Sequence, residues 1–327
     1  MAEEQRSEST LTVLVALGAN FAIAVLKLVA GLITGSAAML AEAAHSVADT
    51  FTEVFLLTAL RRSGRPADRR HPFGYGKERY VWSLLAAVSI FASGAVFALY
   101  EGISTIVGGG EEQESAWVAY LVLGLAFVLE GVSWLRAVKQ VRAEAAQENR
   151  RPREYLRLAD DPTVKTVFLE DSAALIGLLL AFGGLVLHGL TGDGVWDGLA
   201  SVLIGVLLAV VAYILGRTNL RLLIGRQADP VIVRDIRRRL SAAPEVDAVV
   251  DLLTMVTGTD RVLLCARLDF ADDLTAHELE LACVRIAAEL TERYTELDEI
   301  FLEPVPRTDP ELRARVLARY GRPLRSD

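Results

Sequence analysis

Two cysteines and four histidines are all the thiol and imidazole side chains in this 327-residue chain. Cys265 and Cys283 lack CxxC spacing and read as small core residues in a reducing compartment, with a disulfide or metal pair as the alternative. Positive charge is also scarce: the net charge is −8, and no basic stripe interleaves with the aromatics, which make up 7% of the chain. A nucleic-acid partner is therefore not expected. No HExxH, nucleophile elbow or phosphate loop occurs in a suitable context, so enzymatic activity is not expected either. The first ten residues, "MAEEQRSEST", lack a basic n-region and no cleavage pattern follows them, so the first hydrophobic segment reads as a retained span.

Apolar residues are abundant. They form 52% of the chain, the mean hydropathy is +0.35, and they cluster before about residue 225. Six segments, near 11–33, 37–60, 80–107, 116–135, 166–190 and 195–215, are long enough to cross about 30 Å of hydrocarbon. The connections alternate in charge: 34–36 has no Lys or Arg, 61–79 has seven, "GGGEEQES" has none, 136–165 has eight and "HGLTGDGVWD" has none. The positive-inside rule puts both basic loops and both termini in the cytoplasm, which implies an integral protein of the inner membrane. The helix-compatible composition after residue 135 predicts that the fourth span continues beyond the bilayer.

From Asp229 the pattern becomes that of a water-soluble domain. "DPVIVRDIRRRL" opens a helix with an Asp N-cap and Pro at the first position. "VDAVVDLLTMV" and "RVLLCARLDF" flank the turn "TGTD" as a hairpin, "TAHE" is a capping box, and "DEIFLEPV" is a final strand. The fold class expected is a membrane α-helical bundle of six spans with a C-terminal cytoplasmic α+β domain, ordered α-β-β-α-β and ferredoxin-like. The boundaries are 1–226 for the bundle, 227–308 for the cytoplasmic domain and 309–327 for a tail. Such a small domain buries a modest core, which favours dimerisation through it.

The chemistry lies in "MLAEAAHSVADT" on span 2. Glu42, His45, Asp49 and Glu53 fall within a stripe of about 80° at 100° per residue. Lipid cannot solvate that stripe, so it must face other helices or water. His45 and Asp49, at i and i+4, reach one point beside the helix, and imidazole and carboxylate suit Zn²⁺, Mn²⁺, Fe²⁺ or Co²⁺. Span 5 offers the partners, Glu170 and Asp171 in "TVFLEDSAAL". The competing reading is a set of hydrogen bonds that only holds the bundle together. Glu101, Glu130 and Asp197 sit nearer span ends and read as structural, His188 as interfacial, and Lys27 as a snorkelling or helix-pairing cation. In the C-terminal domain His277 lies inside the capping box.

"GSAAMLAEAAHSVADT" and "RHPFGYGKERY" together resemble the cation diffusion facilitator (zinc transporter) family, and the likeness covers nearly the whole chain. The "EDSAA" form of span 5 resembles a side branch of it with a Glu-Asp pair. The resemblance implies a homodimeric exporter of divalent cations, driven by proton antiport. It also implies a four-ligand metal site from spans 2 and 5, met here by His45, Asp49, Asp171 and Glu170. Val167 stands where the family has a histidine. Zn²⁺ is the cation implied, with Mn²⁺, Fe²⁺, Co²⁺ or Cd²⁺ as alternatives and protons as counter-ion. A regulatory membrane protein acting through its cytoplasmic domain is the alternative of another class. Two accessory sites lack expected histidines: Tyr75 stands beside Asp68 and His71, and Glu280 and Phe301 occupy the corresponding places in the C-terminal domain.

Overall fold

A computed structural model describes residues 2–109, 116–147, 149–158 and 161–320, with the backbone alone for 2–16, 19, 158 and 320. The expected acidic connection at 110–115 and the end of the tail lie outside the described residues. The chain forms two compact units, the first from residues up to Arg65 with Glu78–Leu220 and the second from Pro66–Lys77 with the chain from Arg221 onward.

Among the described residues, the regular structure of the first unit is all helical. Its long rods are α1 (Ala2–Thr34), α2 (Ala37–Ser63), α3 (Glu78–Ser89) continuing through a π-helical turn at Ile90–Ala95 into α4 (Val96–Gly108), α5 (Ala116–Gln147), α7 (Pro162–Thr191) and α8 (Val195–Ile224), with a short α6 (Pro152–Leu158) between α5 and α7. Among the described residues four rods, at Glu78–Gly108, Ala116–Gln147, Pro162–Thr191 and Val195–Ile224, are long and apolar enough to cross a membrane, and Asn20–Thr34 is a shorter apolar stretch. The polar stripe of α2 lowers its hydropathy below theirs. As the composition predicts, α5 runs well past residue 135, to Gln147.

Packing in this unit is inside-out relative to a soluble protein. The buried interior is built from small residues, among them Ala30, Ala38, Ala41, Ala87, Ala95 and Ala181. The large apolar side chains Phe21, Leu32, Val107 and Leu190 point outward and are more than half exposed. Small residues let helices approach closely where the surroundings are lipid, and an apolar exterior is stable only there. At the α4–α8 crossing, a Cβ on Gly102 would lie 2.6 Å from the Gly198 carbonyl oxygen, and one on Gly198 would lie 2.9 Å from that of Gly102.

Asp197 ties two helix starts together, as a structural residue should. Its Oδ1 accepts from Ser36 Oγ at 2.7 Å and its Oδ2 from the Ala37 amide at 2.5 Å. Ser36 is itself the N-cap of α2, accepting from the Met39 amide at 3.2 Å. The buried carboxylate thus satisfies the otherwise orphaned donors at the start of α2. Asp197→Ala is expected to lower stability by about 1–2 kcal/mol, read as a lower thermal midpoint of the detergent-solubilised protein. An unchanged midpoint would contradict the capping role.

In the second unit α9 (Pro230–Leu240), β1 (Val246–Gly258), β2 (Arg261–Phe270), α10 (Ala276–Arg293) and β3 (Leu297–Pro304) follow in the expected α-β-β-α-β order. The sheet order is β1-β2-β3, with β1 antiparallel to β2 and β2 parallel to β3. Val262, Leu264, Ala266 and Leu268 of β2 pack with Ile236, Ile286 and Leu290 of the helices. On the other face the register aligns Leu253, Cys265 and Phe301, with Phe301 51% exposed. Both thiols are free and burial pushes each of them up, in keeping with small packing residues. The region expected as a tail contains a helix, α11 (Pro310–Tyr320), whose Leu312 and Val316 pack on Val250. Register shifts between Val249 and Asp251, beside Val250, mark an irregularity in β1, a feature that no hydrophobic period in the sequence announces.

Candidate functional site

The α2 stripe resolves into residues with different duties. Glu42 is fully buried, and its Oε2 lies 3.1 Å from the ammonium of Lys27 on α1, which also donates to Ser46 Oγ at 2.9 Å. Lys27 is therefore a helix-pairing cation and not a snorkelling one. Glu42 rests against α7 at Gly177, where any Cβ would collide with its Oε1. For Glu42 the structural reading holds.

One turn on, His45 is 1% exposed and neither ring nitrogen has a hydrogen-bond partner. Its Nδ1 lies 3.5 Å from Asp49 Oδ1, beyond hydrogen-bond length. Two buried polar groups held side by side without bonding are a costly arrangement unless a third species joins them.

Asp49 opens onto a cavity of about 400 Å³. Its walls come from α1 (Asn20, Ile23), α2 (Asp49, Glu53), α5 (Glu130, Ser133, Arg136) and α7 (Val167, Glu170, Asp171). Glu170 is 8% exposed and its Oε1 has no hydrogen-bond partner. Asp171 turns toward α5 and accepts from Ser133 Oγ at 2.9 Å. Val167 stands between them on the same wall. Asp49, Glu170 and Asp171 thus share one cavity, while His45 lies deeper, beside Asp49 and off the cavity wall. Among the described residues, no three His, Cys, Asp or Glu side chains converge tightly enough to hold a metal as they stand.

Three residues were assigned too little by sequence. Glu130, read as a span-end structural group, lies well inside α5 and faces the cavity. The hydrophobic run stops near residue 135 but the helix does not, which made Glu130 look terminal. Its signal was the spacing to Ser133 and Arg136, which continues one polar face at i+3 and i+6. Asn20 donates to Glu53 Oε1 at 2.5 Å, and Asn20 and Lys27 lie seven residues apart on one face of α1. His188, expected at the interface, is 7% exposed.

The residues of the first accessory site, Asp68, His71 and Tyr75, are knotted together. Asp68 Oδ2 accepts from the Tyr75 hydroxyl at 2.7 Å and Oδ1 from the Arg70 and His71 amides at 2.8 Å each. The His71 and Tyr75 rings lie 4.2 Å apart. The Tyr75 hydroxyl and then the His71 amide hold the Asp68 carboxyl at about 2. With its pKa depressed, Asp68 stabilises this loop above the ordinary carboxylate range and loses that effect as pH falls toward 2. Tyr75→Phe is expected to return the Asp68 value toward 3.8 in an NMR titration; an unmoved value would contradict the knot. Glu280 is exposed on α10 and Phe301 on β3.

Residues 13–224 match the family model described as the cation efflux transmembrane domain. The chain is 35% identical over 267 residues to metal tolerance protein C4 of Arabidopsis thaliana, covering 82% of this chain and 58% of that protein. It is 35% identical over 244 residues to the mitochondrial proton-coupled zinc antiporter SLC30A9 of Xenopus laevis, covering 75% and 44%. It thus spans about half the length of these two relatives. It is 25% identical to the manganese efflux system protein MneP of Bacillus subtilis (strain 168) over 307 residues, 94% of this chain and 99% of that one.

Proposed function

This chain belongs to the cation efflux, or cation diffusion facilitator, family, and on that premise we propose that it exports a divalent metal cation, Zn²⁺ first, in exchange for protons. The observation that carries the reading is the His45–Asp49 pair, unbonded, beside a cavity that Glu170 and Asp171 face from another helix. The cation is the cargo. His45 and Asp49 supply its first two ligands, and Asp171 and Glu170 complete the set as α2 and α7 close on it. Such ligands bind metal only when deprotonated, so loading the cation releases protons and unloading it takes them up. Alternating access of the site to the two sides then yields antiport, its direction set by the proton gradient.

All six long rods cross the inner membrane in this reading, with both termini cytoplasmic. The membrane bundle of this reading is the first compact unit and the cytoplasmic domain the second, which also takes in Pro66–Lys77 and α11. The cavity lies toward the ends of α2, α5 and α7 that carry the basic connections, so the arrangement is inward-facing. The apolar row of half-buried Leu253 and Cys265 with exposed Phe301 supports a homodimer formed through the cytoplasmic domain.

A second reading has Mn²⁺ or Fe²⁺ as the cargo, with Co²⁺ and Cd²⁺ among the ions to be tested. One imidazole among several carboxylates is a hard donor set, which favours the harder cations. Uptake of Zn²⁺, Mn²⁺, Fe²⁺, Co²⁺ and Cd²⁺ into acid-inside proteoliposomes separates these cases. Accumulation of one or more is expected; failure of every ion would overturn the proposal in favour of a non-transporting regulatory protein.

A further inference from the structure

We propose that Glu130 is an additional cargo-binding carboxylate, contributed by a third helix, α5, and that it sets the preference for harder cations. The inference rests on the transport reading above and extends its ligand set beyond α2 and α7.

Glu130 faces the cavity together with Asp49, Glu53, Glu170 and Asp171. Crowded carboxylates alone do not make a site. Glu170 adds the independent sign: it is more than nine-tenths buried, it lines that cavity, and its Oε1 has no hydrogen-bond partner. A buried carboxylate oxygen left in that state is costly unless a cation or a donor arrives.

Lys27 shows why Glu130 is available to such a cation. An ammonium has three donors and no acceptor. Lys27 commits one to Glu42 at 3.1 Å and one to Ser46 at 2.9 Å. Glu130 Oε1 lies 3.9 Å from the same nitrogen, near enough to feel its charge but too far for a hydrogen bond. Lys27 is thus anchored to α2, and it offsets the charge of Glu130 without occupying its oxygens. One turn along α5, Ser133 holds Asp171 at 2.9 Å, so the same helix face both positions a candidate ligand and offers one. A carboxylate from α5 makes the donor set richer in oxygen, which favours Mn²⁺ or Fe²⁺ over softer ions.

The test is initial-rate uptake of Zn²⁺ and of Mn²⁺, measured separately, by the full chain in phosphatidylethanolamine/phosphatidylglycerol vesicles. Glu130→Gln keeps the shape of the side chain and removes its charge. It is expected to raise KM for Mn²⁺ about tenfold and KM for Zn²⁺ by less, so that the Mn²⁺/Zn²⁺ preference falls. A purely structural Glu130 would change the amount of folded protein and leave that ratio alone. Should the glutamine variant fail to fold, Glu130→Asp keeps the charge but withdraws it by one methylene. A ligand then shows a raised KM for Mn²⁺, and a mere charge-balancing group does not. Wild-type transport with KM values unchanged in the variant that folds overturns this inference alone. Wild-type vesicles that move no ion overturn the transport reading itself.

Discussion

Replacing His45 and Asp49 together by alanine is expected to reduce metal uptake by on the order of 100-fold or more while leaving the protein folded. Removing groups that merely support metal ligands costs about 10- to 100-fold in affinity or activity, and these two are the ligands themselves. Folding is spared because the His45 nitrogens and Asp49 Oδ1 have no hydrogen-bond partners, so alanine removes buried polar atoms that nothing satisfies. The single variants distinguish the two roles. His45→Ala removes the sole imidazole and is expected to impair Zn²⁺ more than Mn²⁺, whereas Asp49→Ala impairs both. Uptake measured beside size-exclusion profiles checks the result, and a double variant that transports like wild type would remove the site from α2.

Lys27→Met is expected to have the opposite character, a loss of folded protein before any loss of chemistry. It leaves the Glu42 carboxylate fully buried against Gly177 with its cation gone. Breaking a buried ion pair from one side costs about 3–5 kcal/mol, because the charge left behind is uncompensated. Lys27→Met with Glu42→Gln removes both charges, and this double variant is expected to recover most of the thermal stability. The comparison is a melting series in detergent on the two single variants and the double. A single Lys27→Met variant as stable as wild type would show that the pair holds nothing together.

How far the sequence reaches follows from the kind of signal each feature leaves. The His45–Asp49 pair was legible because i and i+4 on one helix fixes proximity without any tertiary knowledge. The hairpin around "TGTD" and the capping box at Thr275 were legible for the same reason, their determinants being local. The duty of Glu42 was not, since Lys27 meets it only once α1 has packed on α2. Glu130 was hidden by a boundary: apolar residues mark where lipid ends, not where a helix ends, and α5 continues to Gln147. Helix α11 has the same Asp-Pro start as α9, Asp309 accepting from the Leu312 amide, but its buried residues Leu312 and Val316 meet their partner Val250 only through a contact far away in sequence. The relation of Glu170 to Asp171 lay between these cases. Their adjacency predicts side chains about 100° apart, and so they stand, one buried on the cavity wall and the other bonded to Ser133. Sequence could not say that a single cavity spans both directions.

The central claim is that metal and protons exchange at one site, and it is tested most directly in vesicles loaded with a pH-sensitive dye. A Zn²⁺ or Mn²⁺ gradient directed inward is applied with no initial pH difference. The account predicts that the lumen turns alkaline as metal enters and protons leave, and that the His45→Ala/Asp49→Ala variant abolishes both movements. Metal accumulation with no change of luminal pH would contradict it.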